Sequence, residues 1–100
     1  MKLLFVDCCI SQRGGESRTG ILADAFLEAF RAAHPDGEVE TVTQEELLAL
    51  KPFDAALLNE RDALGRAGAY DAPVFEQARR FRAADAVVVA AEAEGLVVVP

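Results

Sequence analysis

Two short runs of consecutive apolar residues stand out in an otherwise mixed sequence. They are Leu3–Val6 and Ala86–Ala91. Neither run alternates with polar residues, which is typical of a strand that helices cover on both faces. A further strand is predicted at Glu38–Val42, where glutamates dilute the valines, as at a partly solvated sheet edge. We therefore expect a sheet with two buried strands and one edge strand.

Helices are predicted between these strands. After the first strand, apolar residues recur at spacings of three and four, which marks one helix face: Ile21, Leu22, Ala25, Phe26, Ala29, Phe30 and Ala33. The helix should end at His34–Gly37, since its proline cannot continue a helix and its glycine allows the chain to reverse. Strands that alternate with helices in this way indicate a parallel α/β sheet with right-handed crossovers.

The second half of the chain carries three more helix signals. Thr43 and Glu46 match a capping box, so a brief helix is expected to start there. Residues 54–67 are rich in strong helix formers, and Gly68 supplies a stop. A last helix follows Asp71, a candidate N-cap. Its basic cluster is expected to form a solvated face with Glu76 as partner: Arg79, Arg80 and Arg82.

Composition and charge narrow the classes of function. The 100 residues are 52% hydrophobic and 27% charged, which suits one globular domain rather than a disordered chain. The net charge of −7 argues against a nucleic-acid surface and against binding to acidic lipid headgroups. The apolar runs are far shorter than the roughly 20 residues that cross a bilayer. Adjacent Cys8 and Cys9 form no disulfide framework and no zinc pattern, so we expect a cytoplasmic protein without a metal site.

The candidate binding site is the polar loop between the first strand and the first helix. A helix N-terminus presents unpaired amides and a partial positive charge, so hydroxyls, glycines and cations placed there can bind an anion such as phosphate. The loop supplies all three: Ser11, Arg13, Gly14, Gly15, Ser17, Arg18 and Thr19. The simpler alternative is that Ser17 caps the helix, the glycines turn the chain and the arginines face water. The loop matches neither GxxxxGK[ST] nor GxGxxG, which argues against a triphosphate or a dinucleotide.

These residues carry a resemblance to a known family. The first part of the chain resembles the opening of the flavodoxin-like NAD(P)H-dependent oxidoreductases, the family of FMN azoreductases and quinone reductases. The segments that carry this likeness are Lys2–Asp7, Ser11–Thr19 and Leu22–Leu27. Three later segments are similar to the middle region and third strand of that family: Asn59–Leu64, Asp71–Phe75 and Ala84–Ala91. The likeness thus covers roughly residues 1–91. The resemblance implies a flavodoxin-like α/β fold with a parallel sheet, here about three strands in the order 2-1-3.

The resemblance also implies a cofactor and a reaction. In the family, three hydroxyl residues grip the FMN phosphate, and Ser11, Ser17 and Thr19 fall on those positions; Arg13 and Arg18 are weaker candidates. FMN would take hydride from NAD(P)H and pass it to a small-molecule electron acceptor such as a quinone or azo compound, with no catalytic side chain required. The family further implies a homodimer.

The chain departs from the family after the third strand. Residues 92–95 contain neither the proline nor the aromatic residues that hold the flavin ring in the family, and the later strands are absent. We therefore expect residues 1–100 to form a single flavodoxin-like domain that is incomplete at its C-terminus, with an open apolar edge at Val87–Val89 that self-associates. Two alternatives stay open: a truncated module that binds no flavin and acts by assembly or is inactive, and a phosphate- or nucleotide-binding protein without redox chemistry.

Overall fold

The computed structural model describes residues 1–9 and 17–91 in full and residues 95–99 as backbone. Its strands and helices alternate through most of the chain. In chain order they are β1 (Lys2–Cys8), α1 (Arg18–Ala33), β2 (Glu38–Val42), α2 (Gln44–Leu48), α3 (Ala55–Arg66), a 3₁₀ helix (Pro73–Phe75), α4 (Glu76–Ala83), β3 (Ala86–Ala91) and β4 (Gly95–Val99). None of the described helices is long and apolar enough to span a bilayer.

The strands form one sheet in the order β2-β1-β3-β4. β1 pairs in parallel with β2 on one side and with β3 on the other, so that Val6 lies between Val42 and Val89. The predicted order 2-1-3 and the position of β2 at a sheet edge are therefore confirmed. Because all three strands run in the same direction, their carboxyl ends meet at one edge of the sheet, where α/β proteins place their ligands.

The predicted open edge of β3 is wrong. β4 pairs with β3 in antiparallel orientation, with Val88 opposite Val98 and Ala91 opposite Gly95. β4 thereby covers backbone groups on the side of β3 that faces away from β1. Three of the described strands are parallel, as expected, and the antiparallel β4 lies beside β3 at the edge of the described sheet.

The core has two layers, one on each face of the sheet. On the first face, α1 packs against alternate residues of β1 and β3, including Leu3, Phe5 and Val88. On the second face, the intervening residues form a smaller cluster: Leu4, Val6, Val42 and Val87, with Leu47 of α2 packed against it. Burial on both faces explains the unbroken apolar sequence of β1 and β3.

The buried face of α1 differs from the predicted one. Its buried apolar residues are Ala23, Leu27 and Phe30, whereas Ile21 and Leu22 are 57% and 51% exposed. The helix carries more apolar residues than one face can hold, and the sheet contacts the stripe that starts at Thr19. The predicted end of the helix is confirmed, because His34 is its C-cap and donates its N–H to the carbonyl of Phe30.

The connections after β2 follow the predicted caps, with one exception. Thr43 is the N-cap of α2, and the capping box between Thr43 and Glu46 is complete. α3 is followed by Gly68, whose φ of 71° is the left-handed conformation that glycine adopts at low cost. The predicted cap at Asp71 is wrong, since the 3₁₀ helix starts from Ala72 without a side-chain cap.

The basic cluster on α4 is a solvated face only in part, since Arg79 and Arg82 are exposed as predicted and Arg80 is not. Arg80 has only 14% of its side chain exposed and donates to the carbonyl of Thr41 at 2.9 Å and to Glu46 Oε1 at 3.1 Å, with Glu40 Oε1 3.3 Å from its Nε. It therefore joins α4 to β2 and α2. Arg79 donates to the carbonyls of Tyr70 and Ala72, which anchors the preceding loop. Neither arginine is paired with Glu76 in the structure.

Candidate functional site

The candidate site lies where β1 leads to α1, at the carboxyl edge of the parallel strands. α1 begins at Arg18 with Ser17 as N-cap, and the extended conformation of Ser17 lets its Oγ accept the N–H of Gly20 at 3.1 Å. The carbonyl of Ser17 accepts the N–H of Ile21 at 3.0 Å. The alternative that Ser17 is a helix cap is thus confirmed, and it leaves the proton of the Ser17 hydroxyl available for donation to a ligand.

The first turn of α1 is suited to an anion. Helix geometry gives the amides of Arg18 and Thr19 no acceptor inside the helix, and the helix dipole adds about half a positive charge at this end. The first turn contains no acidic residue, although the protein carries a net charge of −7. A helix start with free main-chain amides, a hydroxyl beside them and no carboxylate is the kind of site that binds a phosphate dianion.

Three of the five predicted site residues lie next to one another at the start of α1. Ser17 and Thr19 are 5% and 8% exposed, and Arg18 between them is exposed to solvent. Ser11 and Arg13 lie outside the described residues. Their convergence with Ser17 and Thr19 on one phosphate therefore stays a prediction.

A second group of side chains, which the sequence gave no reason to combine, lies directly before this loop. Gln44 Nε2 donates to the carbonyl of Cys9 at 2.7 Å and to Asp7 Oδ1 at 3.3 Å. The same Asp7 oxygen accepts the N–H of Cys9 at 3.0 Å, and Cys9 Sγ lies 3.8 Å from the carbonyl of Ala90. The end of β1 is thereby attached to α2 on one side and to β3 on the other.

Sequence reasoning missed Gln44. Gln44 is 35 residues from Cys9 along the chain. Its place at the first position of a capped helix is visible in the sequence, but no local pattern indicates which distant backbone group its side chain reaches. The parallel pairing of β1 with β2, which brings the end of β1 close to the start of α2, is the signal that connects them.

The cysteines at the end of β1 are poor candidates for catalysis. Burial raises the pKa of the Cys8 thiol above its ordinary value of 9.0, and the carboxylate of Asp7 raises it further. Both causes favour the neutral thiol, which is a weak nucleophile at neutral pH. Cys9 is buried among the apolar residues of the α1 face of the sheet. The two residues therefore contribute to packing at the edge of the site.

Comparisons with known proteins agree with this architecture. Residues 1–91 match a family model described as flavodoxin-like fold. The chain is also similar to an FMN-dependent NADH:quinone oxidoreductase of Frankia alni, with 46% identity over 50 residues. That match covers 50% of this chain and 21% of the length of the relative. No solved structure matches the chain. With the family model spanning β1 to β3 and the strand order that the structure displays, the chain belongs to the flavodoxin-like fold family.

Proposed function

We propose that this protein is an FMN-dependent oxidoreductase that passes hydride from NAD(P)H to a quinone, azo compound or similar small-molecule acceptor. The observation that carries the proposal is the first turn of α1, where Ser17 and Thr19 flank an exposed Arg18 and no carboxylate is present. The name of the Frankia alni relative supports FMN, NADH and a quinone as the reactants.

The proposed roles follow from the geometry of this turn. The hydroxyls of Ser17 and Thr19 and the amides of Arg18 and Thr19 would hold the phosphate, and the Arg18 guanidinium would add charge from the solvent side. Ser11 and Arg13 are proposed as further ligands from the loop. FMN, when bound, supplies the hydride-carrying ring. The protein then has to bind and orient, and no side chain is assigned as a general acid or base.

The experiment measures FMN binding to the purified protein by quenching of flavin fluorescence, followed by NADH oxidation with a quinone acceptor. Ser17→Ala removes one hydroxyl donor, and a hydrogen bond to a charged group contributes about 1.5–3 kcal/mol, so we expect FMN to bind at least tenfold more weakly.

Asp54→Ala is the control, because Asp54 is also an N-cap whose side chain accepts a backbone N–H, at the start of α3. Each substitution should lower the free energy of unfolding by about 1 kcal/mol, but only Ser17→Ala should weaken FMN binding. Equal FMN affinities in the two variants would refute the proposed phosphate site. A wild-type protein that binds no FMN would favour the flavin-free module instead.

We further propose a cytoplasmic homodimer. Several large apolar side chains on the α2–α4 side of the chain are exposed, a pattern that often marks a contact between proteins. They include Leu48, Leu50, Phe53 and Phe81, of which Leu48 and Phe53 are 71% and 68% exposed. Analytical ultracentrifugation tests this proposal, since replacing Leu48 and Phe53 by serine should shift a dimer to the monomer mass.

A further inference from the structure

β4 is an edge strand of the described sheet. One side of it pairs with β3, and no described strand lies beyond it. In an antiparallel ladder every second residue turns its N–H and C=O away from the partner strand, so the outer side of β4 carries main-chain donors and acceptors that a further strand can bind. The sequence of β4, Gly-Leu-Val-Val-Val, contains none of the charged residues or prolines that usually block such an edge.

The opposite edge of the sheet is protected. β2 carries Glu38 and Glu40 among its five residues. Glu40 pairs with Arg80, and the Arg80 side chain also donates to the main-chain carbonyl of Thr41 at 2.9 Å. Charged residues, and a side chain that is bonded to the backbone of the edge, both oppose the addition of another strand. Of the two edges of the described sheet, β4 is therefore the one suited to pairing.

α1 carries a second apolar side, next to the stripe that it buries against the sheet. At 3.6 residues per turn, this side is formed by residues that are spaced four, three and four positions apart: Leu22, Phe26, Ala29 and Ala33. Leu22 is 51% exposed, Ala29 and Ala33 are exposed, and Phe26 is half-buried. The other side of the buried stripe is charged and consists of Asp24, Glu28 and Arg31.

The apolar side of α1 faces in the same direction as the outer edge of β4. α1 packs against β3 and β4. The connection from β1 through α1 to β2 joins neighbouring parallel strands, and such crossovers are right-handed in about 98% of cases. With this hand, the charged side of α1 turns toward β2 and its apolar side turns toward β4. An unprotected strand edge and an uncovered helix side therefore lie next to each other.

We propose that the outer edge of β4 and the apolar side of α1 together form a contact between two copies of this chain. A two-fold axis beside β4 places the two β4 strands antiparallel to each other, so that the sheet continues into the second copy. The same axis brings the apolar sides of the two α1 helices together. Both copies use the same surface, as a two-fold symmetric contact requires.

The exposed area of the chain supports a second copy as the occupant. The chain exposes 6895 Å², whereas a compact monomer of this length exposes roughly 5500 Å². The difference exceeds the roughly 800 Å² that each partner buries in a standard interface. One short strand and one helix side form a small contact, so we expect it to be weak and to depend on protein concentration. It is separate from the α2–α4 side, which covers the other face of the sheet.

The first test compares Ala29→Glu with Ala32→Glu in analytical ultracentrifugation over a concentration series. Both are exposed alanines of α1, but Ala29 lies on the apolar side and Ala32 points away from the sheet. The parent protein carries Leu48→Ser and Phe53→Ser, which remove the contact proposed above on the α2–α4 side. Parent and Ala32→Glu should dimerise equally as the concentration rises. Ala29→Glu should dimerise about tenfold more weakly, because two like charges meet across the axis. A parent that stays monomeric, or equal association of the two variants, would overturn the proposal.

A second measurement tests the pairing of the strands. Hydrogen exchange followed by mass spectrometry reports on the main-chain amides of residues 95–99 in the dilute and the concentrated parent protein. Outward N–H groups of β4 become hydrogen-bonded in the dimer, so exchange of this segment should slow about fivefold on concentration, while β2 stays unchanged. Association without slower exchange of β4 would refute the strand pairing. Slow exchange already in the dilute monomer would show that the edge is covered within one chain, and would equally overturn the proposal.

Discussion

Replacing Arg80 by methionine should destabilise the protein much more than the same change two residues later, at Arg82. The Arg80 side chain donates to the Thr41 carbonyl at 2.9 Å and pairs with Glu40 at 3.3 Å, with only 14% of its side chain exposed. A hydrogen bond from a charged donor contributes about 1.5–3 kcal/mol, and a pair with a partly exposed carboxylate such as Glu40 adds about 0.2–1 kcal/mol. We therefore expect Arg80→Met to lower the free energy of unfolding by about 2–3 kcal/mol.

The matched control is Arg82→Met on the same helix. Arg82 is exposed, and both substitutions remove one positive charge, so the net charge of the two variants is identical. A surface substitution of this kind changes stability by less than about 0.5 kcal/mol. Urea unfolding followed by circular dichroism gives both values, and thermal unfolding should show a drop of about 4–8 °C for each kcal/mol lost. Equal stabilities of the two variants would refute the conclusion that Arg80 joins α4 to β2 and α2.

Three further predictions concern pH and the sheet edge. The backbone N–H of Thr43 and, after it, the Arg80 side chain hold the pKa of Glu46 below its ordinary value of 4.5. The stability that Glu46 adds is therefore present above that value and lost as the pH falls through the folded pKa, so wild type and Glu46→Gln should differ in urea unfolding at neutral pH and converge once the pH is below the folded pKa. Burial and Asp7 raise the pKa of Cys8 above 9.0, so alkylation of its thiol by iodoacetamide should be slow at pH 8. Asp7→Asn should speed up this alkylation. Equal alkylation rates of wild type and variant, measured by mass spectrometry, would contradict the role of Asp7. Removing residues 92–100 uncovers the β3 edge that β4 pairs with. Light scattering should then show concentration-dependent self-association of the truncated chain. A monomeric truncated chain would count against this edge as an aggregation site.

The sheet was predictable because its signals are local and strong. The uninterrupted apolar runs of β1 and β3 reflect burial on two faces, and the glutamates of β2 reflect its place at an edge. The C-terminal ends of α1 and α3 followed from the residues that stop a helix there, His34 and Gly68. Each of these features is determined by residues within a few positions of one another.

The predictions that were wrong concern contacts between residues that are distant in sequence. The apolar residues of α1 allow more than one inward face, and the contact with the sheet selects Ala23, Leu27 and Phe30. Arg80 is removed from solvent because β2 and α2 present a carbonyl and two carboxylates to it, and nothing around residue 80 in the sequence shows this. β4 pairs with β3 in antiparallel orientation, a direction that the apolar residues of this segment do not determine.

The candidate site was predicted in the same uneven way. Ser17, Arg18 and Thr19 were found because hydroxyls and cations at a helix start form a local pattern, and the structure places them on one turn. Gln44 was missed because its partners are 35 and 37 residues away. Patterns within a few residues were thus easier to recognise than side-chain contacts across the chain.

The central place of β1 in the sheet has a consequence for synthesis on the ribosome. β1 is the first strand to be made, yet its neighbour β3 is complete only at residue 91, and the bond between the Lys2 N–H and Asp85 spans 83 residues. At about 5–20 residues per second, translation delays that partner by roughly 4–17 s. During this interval the nascent chain carries the apolar segment Leu3–Val6, which is buried in the folded protein, without its full set of neighbours, so this segment depends on protection while the chain is being made.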